Sequence, residues 1–373
     1  MKYLFINSLA GKGSTGRIAA GKCRELMAQG HQCLIAYGRE QGNCEDIPTL
    51  RIGSDLDEKI HGVLTRTLDF HGFGSYRATK TFLEKVRQYD PDVIWLHNIH
   101  GYYLHIGLLF EYLKTCGKPI YWTLHDCWSF TGHCAYFDYA GCDKWKSGCH
   151  DCPEKRAYPA SFLLDGSRRN YAKKRTLFTG VPNLTLITPS KWLAGLVKQS
   201  FLREYPVEVV YNTVDTRVFR PTPGDFRDRH GLTDKKMLLG VANVWDARKG
   251  MRYFLELAKL LDDRYRIVLV GVTPEQAGQL PEKFIPISRT DSPRQLAEIY
   301  TAADVFVNPT CEDNLPTVNL EAVACGCRVV CFDTGGCAET LGPEDILVPK
   351  GDVEALRQQV TALCEAKPEI GKD

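Results

Sequence analysis

The sequence lacks a strong charge of either sign. Its 47 Lys and Arg residues nearly balance its 45 Asp and Glu residues, which leaves a formal net charge of +2. Domains that bind nucleic acid are usually strongly basic, because contacts with phosphates dominate their affinity. We therefore expect no nucleic-acid partner, and any phosphate binding must be local to a site.

Long hydrophobic runs are also missing. No stretch approaches the ~18 consecutive apolar residues of a membrane-spanning helix. The opening MKYLFINSLAGKG is too short and too polar for a secretory signal peptide. Both absences favour a cytoplasmic protein, in which the 15 cysteines would be reduced thiols or metal ligands rather than disulfides.

Short apolar segments alternate with helical patterns along the chain, which is typical of α/β domains with buried parallel sheets. The alternation restarts after a turn-rich interval at residues 212–229, and 373 residues is about twice the usual domain length. We predict two Rossmann-like domains, residues 1–218 and 219–373, that face each other across a cleft. Residues 127–153, rich in cysteine and aromatic side chains, would be an insertion in the first domain.

A glycine-rich loop, GKGSTGR, follows the first predicted strand and opens a helix. Small residues let the backbone approach a ligand, and free N–H groups at a helix start favour an anion. The loop matches neither the G-x-G-x-x-G nor the P-loop pattern, so a nucleoside triphosphatase is not expected. Gly13 is therefore a candidate ligand contact, and a tight turn that simply requires glycine is the alternative.

Two segments of the second half place charged side chains after strands, where open α/β sheets bind ligands. In NVWDARK, Lys249 precedes a predicted helix and could neutralise a phosphate, with a solvated lysine as the alternative. In CEDNLPTVNLEAVACG, Asp313 and Glu321 could accept hydrogen bonds from hydroxyls at the two ends of a nucleotide sugar. For these two acids, helix capping and a solvated helix face are the alternative.

The order of the motifs resembles that of a known family. The glycine-rich opening is followed by TLHD, TPSKW, VVYNTVD, ARKG, EDNLPTVNLEAVACG and DTGGCAE. This series is similar to the retaining glycosyltransferases of family 4, which have the GT-B fold. The segments KGSTGR and HDCWSFTGHC are most similar to bacterial capsular and exopolysaccharide enzymes of the colanic-acid type. Members usually end in a helix that crosses back to the first domain, and the last residues here, EAKPEIGKD, are short of it.

The resemblance assigns roles to individual residues. It implies that Glu321 binds the donor ribose, that Asp313 lies close to the donor sugar, and that Lys249 holds the donor phosphates. Asn243 stands where the family usually has an arginine that partners this lysine, and Arg248 could compensate. The other residues implied in contacts with the donor or the transferred sugar are Gly13, His125, Asn314 and Leu315.

The resemblance also implies an activity. A hexosyl group would pass with retention from a UDP- or GDP-sugar to a glycan or lipid-linked acceptor, in the synthesis of a bacterial surface polysaccharide. No Asp-x-Asp motif has surroundings suited to a metal, so we expect no catalytic metal, and Lys249 with loop N–H groups would stabilise the leaving diphosphate. The alternatives are another double-Rossmann enzyme, such as an epimerase or a phosphorylase, and a non-catalytic nucleotide- or carbohydrate-binding protein.

A run of basic residues, SRRNYAKKR, occupies positions 167–175. Its cations could face a lipid-linked pyrophosphate acceptor or an anionic membrane, where each contributes ~1 kcal/mol. A solvated helix face is the alternative. If the membrane contact exists, binding to anionic vesicles should weaken on charge reversal of Arg168, Arg169, Lys173 and Lys174.

Four cysteines lie close together in the stretch that shows neither helix nor strand periodicity, and the last two form C-x-x-C. Thiolates at this spacing can share one tetrahedral ion. We predict one structural zinc ion, which would supply folding energy to a segment with little apolar material. Buried thiols, a disulfide pair and an iron–sulfur cluster are the alternatives. The predicted ligands are Cys134, Cys142, Cys149 and Cys152, with His133, His150 and Cys127 as substitutes.

Overall fold

The computed structural model of the chain describes residues 1–366. It divides into two α/β units, Met1–Tyr211 and Asn212–Asp373, at the start of the turn-rich interval. Two successive α/β units with parallel sheets confirm the predicted fold class. We expected the chain to be short of the family's final helix, which crosses back to the first domain. That expectation depends on residues 367–373, which lie outside the described residues.

The first unit is built on a parallel sheet of seven strands. Its strands are β1 Lys2–Ala10, β2 Gln32–Gln41, β3 Thr49–Arg51, β4 Val93–Leu96, β5 Ile120–Thr123, β6 Leu184–Thr188 and β7 Val207–Val209. Its helices are α1 Gly13–Ala28, α2 Asp55–Leu68, α3 Tyr76–Tyr89, α4 Ile106–Thr115, α5 Ser167–Phe178 and α6 Lys191–Gln199.

The strands of this sheet pair in the order β3-β2-β1-β4-β5-β6-β7. Both faces of the sheet are covered, since Leu4 and Ile6 of β1 belong to one apolar cluster and Phe5 to another. A strand buried on both faces must be a continuous apolar run, which explains sequences such as VIWL in β4. The carboxyl ends of β1, β4 and β5 consequently lie side by side at one edge.

The cysteine-rich segment, residues 127–153, contributes more apolar side chains to the core than we expected from the sequence. Its aromatic side chains Trp128, Phe130, Phe137 and Trp145 are buried and belong to the larger core of the first unit. The expectation that this segment has little apolar material of its own is therefore wrong. Its order rests at least in part on ordinary hydrophobic burial.

The second unit has a parallel sheet of six strands. Its strands are β8 Lys236–Val241, β9 Tyr265–Val270, β10 Phe284–Ile287, β11 Val305–Asn308, β12 Arg328–Phe332 and β13 Ile346–Val348. Its helices are α7 Phe226–Arg229, α8 Met251–Leu260, α9 Pro274–Ala277, α10 Pro293–Ala302, α11 Thr317–Ala324 and α12 Val353–Ala366.

The strand order of the second sheet, β10-β9-β8-β11-β12-β13, brings the carboxyl ends of β8, β11 and β12 together at one edge. This is the edge at which open α/β sheets bind ligands, because the loops and helix starts there are free to vary. Within residues 1–366, no helix is both long and apolar enough to cross a lipid bilayer.

Candidate functional site

Lys249 and Asp313 form an ion pair at the carboxyl edge of the second sheet. Lys249 ends a short 3₁₀ helix, Ala247–Lys249, after β8, and Asp313 lies between β11 and α11. Lys249 Nζ is 2.5 Å from Asp313 Oδ2, and the two side chains are only 23% and 14% exposed. The structure thus brings together two predicted site residues, and an incoming anion would compete with Asp313 for the ammonium group.

The backbone around Lys249 is fixed by its neighbours. Asp246 Oδ1 accepts a hydrogen bond from the Lys249 N–H at 2.9 Å. Gly250 has a φ of 80°, and a Cβ at this position would lie 2.0 Å from the Pro309 carbonyl oxygen. Only glycine fits this approach, so the ARKG segment presents Lys249 in one orientation.

Arg248 connects the same turn to the loop after β11. Its Nη1 donates to the Glu312 carbonyl oxygen at 2.8 Å, and its own carbonyl oxygen accepts from the Cys311 N–H at 2.8 Å. Arg248 therefore positions the loop that contains Asp313. A contact with a phosphate would be an additional role. Asn243, which stands where the family usually has an arginine, is exposed in the loop after β8.

The loop that carries Asp313 packs against the loop after β12. The Gly336 N–H donates to the Asp313 carbonyl oxygen at 3.1 Å. A Cβ on Gly335 would lie 1.8 Å from the same oxygen, which explains the glycine pair in DTGG. The predicted contacts Asn314 and Leu315 are buried in this loop, so their side chains also serve its packing.

Glu321 lies on α11 and is nearly buried. Its Oε2 accepts a hydrogen bond from the Tyr300 hydroxyl of α10 at 3.1 Å. Burial, and secondarily the carboxylate itself, raise the pKa of Tyr300 well above its usual value, so the hydroxyl remains a donor. Tyr300 thus orients the carboxylate, a role that the sequence pattern did not reveal because the two residues are on different helices.

In the first unit, His125 and His97 meet at the carboxyl edge of the sheet. They follow the neighbouring strands β5 and β4, and His97 Nδ1 lies 2.9 Å from His125 Nε2. The rings stack with an interplanar angle of 16°. Burial lowers the pKa of His125 to about 4 and that of His97 well below its usual value, so both rings are neutral. His97 was missed by sequence reasoning, although LHN directly after an apolar strand was a usable signal.

A histidine–aspartate pair, His100 and Asp126, also follows these two strands. His100 Nε2 lies 2.9 Å from Asp126 Oδ2, and His100 Nδ1 lies 3.0 Å from the Tyr158 hydroxyl. Burial alone would raise the pKa of Asp126, but its contacts with His100 and the Trp128 N–H outweigh burial and lower the pKa. Because the carboxylate is an acceptor, His100 Nε2 carries a proton and donates to Asp126.

Gly13 begins α1 in the loop after β1. It has a φ of 64°, and Lys12 precedes it at the N-cap, where its ammonium group pairs with Glu40 and has no acceptor for the helix N–H groups. The first N–H groups of α1 are therefore without a side-chain cap. Gly11, with a φ of 62°, approaches the Gly42 carbonyl oxygen so closely that a Cβ would lie 1.8 Å from it. The backbone therefore requires glycine in this loop, as the alternative reading predicted. Contact of Gly13 with a ligand stays a prediction, based on the N–H groups at the start of α1.

The four predicted zinc ligands of the cysteine-rich segment come close together. Cys134, Cys142, Cys149 and Cys152 all line one small cavity. Cys134 and Cys152 share a side-chain hydrogen bond, which lowers the pKa of Cys152 to about 7, whereas burial raises the pKa of Cys149 to about 11. As the side chains stand in residues 1–366, no group of three or more His, Cys, Asp or Glu residues could hold a metal ion. No disulfide joins any two cysteines within residues 1–366.

The basic run on α5 is only partly exposed. Lys174 is 1% exposed, and its Nζ donates to the Trp128 and Thr131 carbonyl oxygens at 2.8 and 3.2 Å. Arg169 is half-buried and donates to the backbone of residues 68–69. The expectation that Lys174 could face a membrane is therefore wrong, because its ammonium group is a buried part of the core. The exposed cations are Arg168, Lys173 and Arg175.

Arg168 and Arg175 also line a cavity of about 600 Å³ between α5 and the cysteine-rich segment. The two positions are seven apart, and so they lie on the same face of the helix. Ser147 and His150 line the opposite side. The cavity is therefore suited to an anionic group.

Comparisons with known proteins agree with this geometry. The family model described as Glycosyltransferase Family 4 matches residues 15–218, and the model described as Glycosyl transferases group 1 matches residues 235–366. The putative colanic acid biosynthesis glycosyl transferase WcaC of Escherichia coli is 25% identical over 100% of this chain and 92% of its own. The putative teichuronic acid biosynthesis glycosyltransferase TuaC of Bacillus subtilis is 29% identical over 41% of this chain and 40% of its own.

Solved structures share the fold at low identity. A sucrose-phosphate synthase from Thermosynechococcus elongatus has a TM-score of 0.70 at 17% identity, and covers 98% of this chain and 90% of its own. HepE of Anabaena, solved with UDP and glucose, has a TM-score of 0.65 at 15% identity, with the same coverage. The two units have the fold of GT-B glycosyltransferases. Because the Glycosyltransferase Family 4 model matches more than half of the chain, the protein belongs to glycosyltransferase family 4.

Proposed function

We propose that this glycosyltransferase moves a hexosyl group from a UDP- or GDP-sugar to a glycan or lipid-linked acceptor, with retention, in the synthesis of a bacterial surface polysaccharide. Similarity to the colanic acid relative over the full chain supports the pathway class. The observation that carries the proposal is the Lys249–Asp313 ion pair. It joins a cation and a carboxylate at the sheet edge where the family resemblance puts the donor phosphates and sugar.

The donor is proposed to occupy the second unit. Its diphosphate would draw the Lys249 ammonium group away from Asp313, and the freed carboxylate could then accept hydrogen bonds from sugar hydroxyls. Glu321, oriented by Tyr300, would accept from the ribose hydroxyls. Solved relatives of the same fold were determined with UDP and glucose or with UDP-2-fluoro glucose, which favours a UDP-sugar here.

The chemical step is proposed to rely on fixed charges. Negative charge grows on the diphosphate as the anomeric bond breaks, so a preorganised cation stabilises the transition state more than the ground state. Lys249 would supply that stabilisation in the second unit, and the N–H groups at the start of α1 are a candidate anion site in the first unit. We expect no catalytic metal. His125 would contact the transferred sugar. The acceptor hydroxyl would attack the anomeric carbon from the same face as that from which the leaving group departs.

The acceptor is proposed to carry a phosphate and a lipid. Arg168, Arg175 and His150 line the cavity of about 600 Å³ beside α5, where they could pair with a phosphate. Phe162 and Leu163, in the loop that precedes this helix, are 56% and 68% exposed, which is unusual for large apolar side chains. An exposed apolar loop beside cations suits the surface of an anionic membrane. We propose a cytoplasmic location, where cysteines are normally kept reduced.

A panel of UDP-, GDP- and ADP-sugars, incubated without an acceptor, tests the proposal. We expect slow release of one nucleoside diphosphate together with free sugar. Binding without any release would favour a non-catalytic protein, and conversion to an epimeric nucleotide sugar would favour an epimerase. Lys249→Ala serves as the inactive reference, and Lys259→Ala, an exposed lysine of α8, as the matched control.

A further inference from the structure

The cysteine-rich segment contains a thiol cluster that the proposed transfer reaction does not use. Cys134, Cys142, Cys149 and Cys152 line a single cavity whose free volume is about 10 Å³. A space of about 10–15 Å³ is what one water molecule fills, so the cavity has room for a single small ion. The other residues that line it are Phe137, Lys144, Trp145, His150 and Pro153.

Backbone N–H groups point at two of the sulfur atoms. The Gly132 N–H donates to Cys149 Sγ at 3.2 Å, and the Glu154 N–H donates to Cys152. Cys134 donates its thiol proton to Cys152. Donors aimed at the sulfur atoms of cysteine ligands are a common outer shell of metal sites, because they stabilise the anionic ligand.

A buried cation lies beside the cluster. The Lys174 ammonium group is fully buried, sits 3.3 Å from the centroid of the Trp128 ring, and interacts electrostatically with Cys149 and Cys134. Burial lowers the pKa of Lys174 to about 7, because a buried cation is costly unless a negative charge compensates it. Four thiolates around one Zn²⁺ carry a net charge of −2, which would compensate Lys174 more fully than neutral thiols can.

We propose that Cys134, Cys142, Cys149 and Cys152 bind one structural zinc ion. Each thiol would release its proton to solvent and form one bond to zinc, and four thiolates leave no open position for catalysis. The side chains must rotate to close the site, because they do not yet form a metal-binding group within residues 1–366. Ligand deprotonation and local ordering normally accompany zinc binding, and here the ion would replace the proton that Cys134 and Cys152 share.

The substitute ligands considered from the sequence are less suitable. His133 uses Nδ1 to contact Asp69 Oδ1 at 2.7 Å, and both side chains are completely buried. His150 pairs with Asp151 at 3.0 Å, and its side chain is 44% exposed. Neither His133 nor Cys127 belongs to the cavity lining within the described residues. The four cysteines are thus the ligand set.

Metal analysis of full-length protein purified without chelator tests the proposal. We expect about one zinc per chain, most of which is lost in Cys149→Ser and in Cys152→Ser. Cys116→Ser, a half-buried cysteine at the end of α4, is the matched control and should keep its zinc. Should the serine variants fail to fold, titration of the wild-type protein with a mercurial reagent gives the same answer, since zinc should be released as four thiols react.

Three results would overturn the proposal. The first is folded wild-type protein that contains no zinc and takes up none when zinc is added. The second is iron with inorganic sulfide in place of zinc. The third is a Cys134–Cys152 disulfide in protein isolated without oxidant. Because nucleotide release is measured separately, each of these results would leave the proposed transfer reaction standing.

Discussion

His97 Nδ1 lies 2.9 Å from His125 Nε2, with both rings neutral and the two residues at the ends of neighbouring strands. The other nitrogen of His97, Nε2, is buried and has no hydrogen-bond partner in the described chain. A buried N–H without an acceptor is costly, so the proton of His97 belongs on Nδ1. His97 then donates to His125 Nε2, and His125 must carry its own proton on Nδ1, as a donor.

The first prediction concerns this contact. His97→Phe should lower turnover roughly 10-fold, because leaving a buried polar group unsatisfied costs ~1–3 kcal/mol. His97→Asn, whose amide N–H can replace the Nδ1–H group, should retain more activity than His97→Phe. Nitrogen NMR of the histidines checks the tautomer directly, and a proton on Nε2 of His125 in the wild-type protein would refute the assignment.

The buried histidines predict how stability depends on pH. Burial lowers the pKa of His61 and His125 to about 4, and it lowers those of His71 and His97 well below the usual value. Unfolded histidine titrates near pH ~6.5, so below that pH the unfolded state binds more protons than the folded state. Stability should be full above pH ~6.5 and fall steadily toward pH ~4.

Thermal unfolding at a series of pH values measures this loss. His230→Gln, at an exposed histidine after α7, is the control and should lose stability with pH as the wild type does. An unfolding temperature that stays constant between pH 7 and pH 5 would contradict neutral burial of these rings.

Lys249→Ala should lower transfer about 100-fold or more, since removing one preorganised charge donor typically costs ~3 kcal/mol of barrier. The fold should survive, because the Lys249 side chain lies outside the two apolar clusters of the second unit. Lys259→Ala should behave as the wild type. Near-normal turnover of Lys249→Ala at saturating donor would show that Lys249 does not stabilise the leaving diphosphate.

Glu321→Gln should mainly weaken donor binding, because a ribose contact is similar in the ground and transition states. Tyr300→Phe should cause a smaller loss, since it removes only the hydrogen bond that orients the carboxylate, worth ~1 kcal/mol. Calorimetric titration with the nucleotide measures both effects. A lower rate constant with unchanged donor affinity would contradict the ribose role.

The exposed cations of α5 predict a salt-dependent interaction with anionic vesicles. Charge reversal of Arg168, Lys173 and Arg175 should weaken vesicle binding, whereas Lys174→Ala should lower the unfolding temperature. Co-sedimentation with anionic and neutral vesicles measures the first effect. Equal binding by the wild type and the triple variant would exclude this face as a membrane contact.

The sequence predicted the fold well because its signal is local. Apolar strands such as VIWL and the glycines of ARKG and DTGG each reflect a backbone requirement that the structure confirms. The order of motifs also identified the family. Pairings between distant segments were not predictable, such as Tyr300 with Glu321 and His97 with His125, because no local pattern records which loops meet.

The burial of a charged side chain was the other feature that could not be predicted from the sequence. Five basic residues in a short run suggest a solvated face. Lys174 is nevertheless buried in the core, where its Nζ contacts two carbonyl oxygens and the Trp128 ring. The aromatic residues of the cysteine-rich segment were similarly underestimated, since they follow no period. Their burial depends on the surrounding sheet rather than on their own spacing.

The most direct test of the proposed donor site is the rate of nucleoside diphosphate release from the preferred nucleotide sugar, compared between the wild type and Lys249→Ala. Both proteins are measured at saturating donor, with their fold verified by unfolding temperature. The account predicts release by the wild type and a rate about 100-fold lower in the variant. Equal rates in the two proteins, or release by neither with any UDP-, GDP- or ADP-sugar, would contradict it.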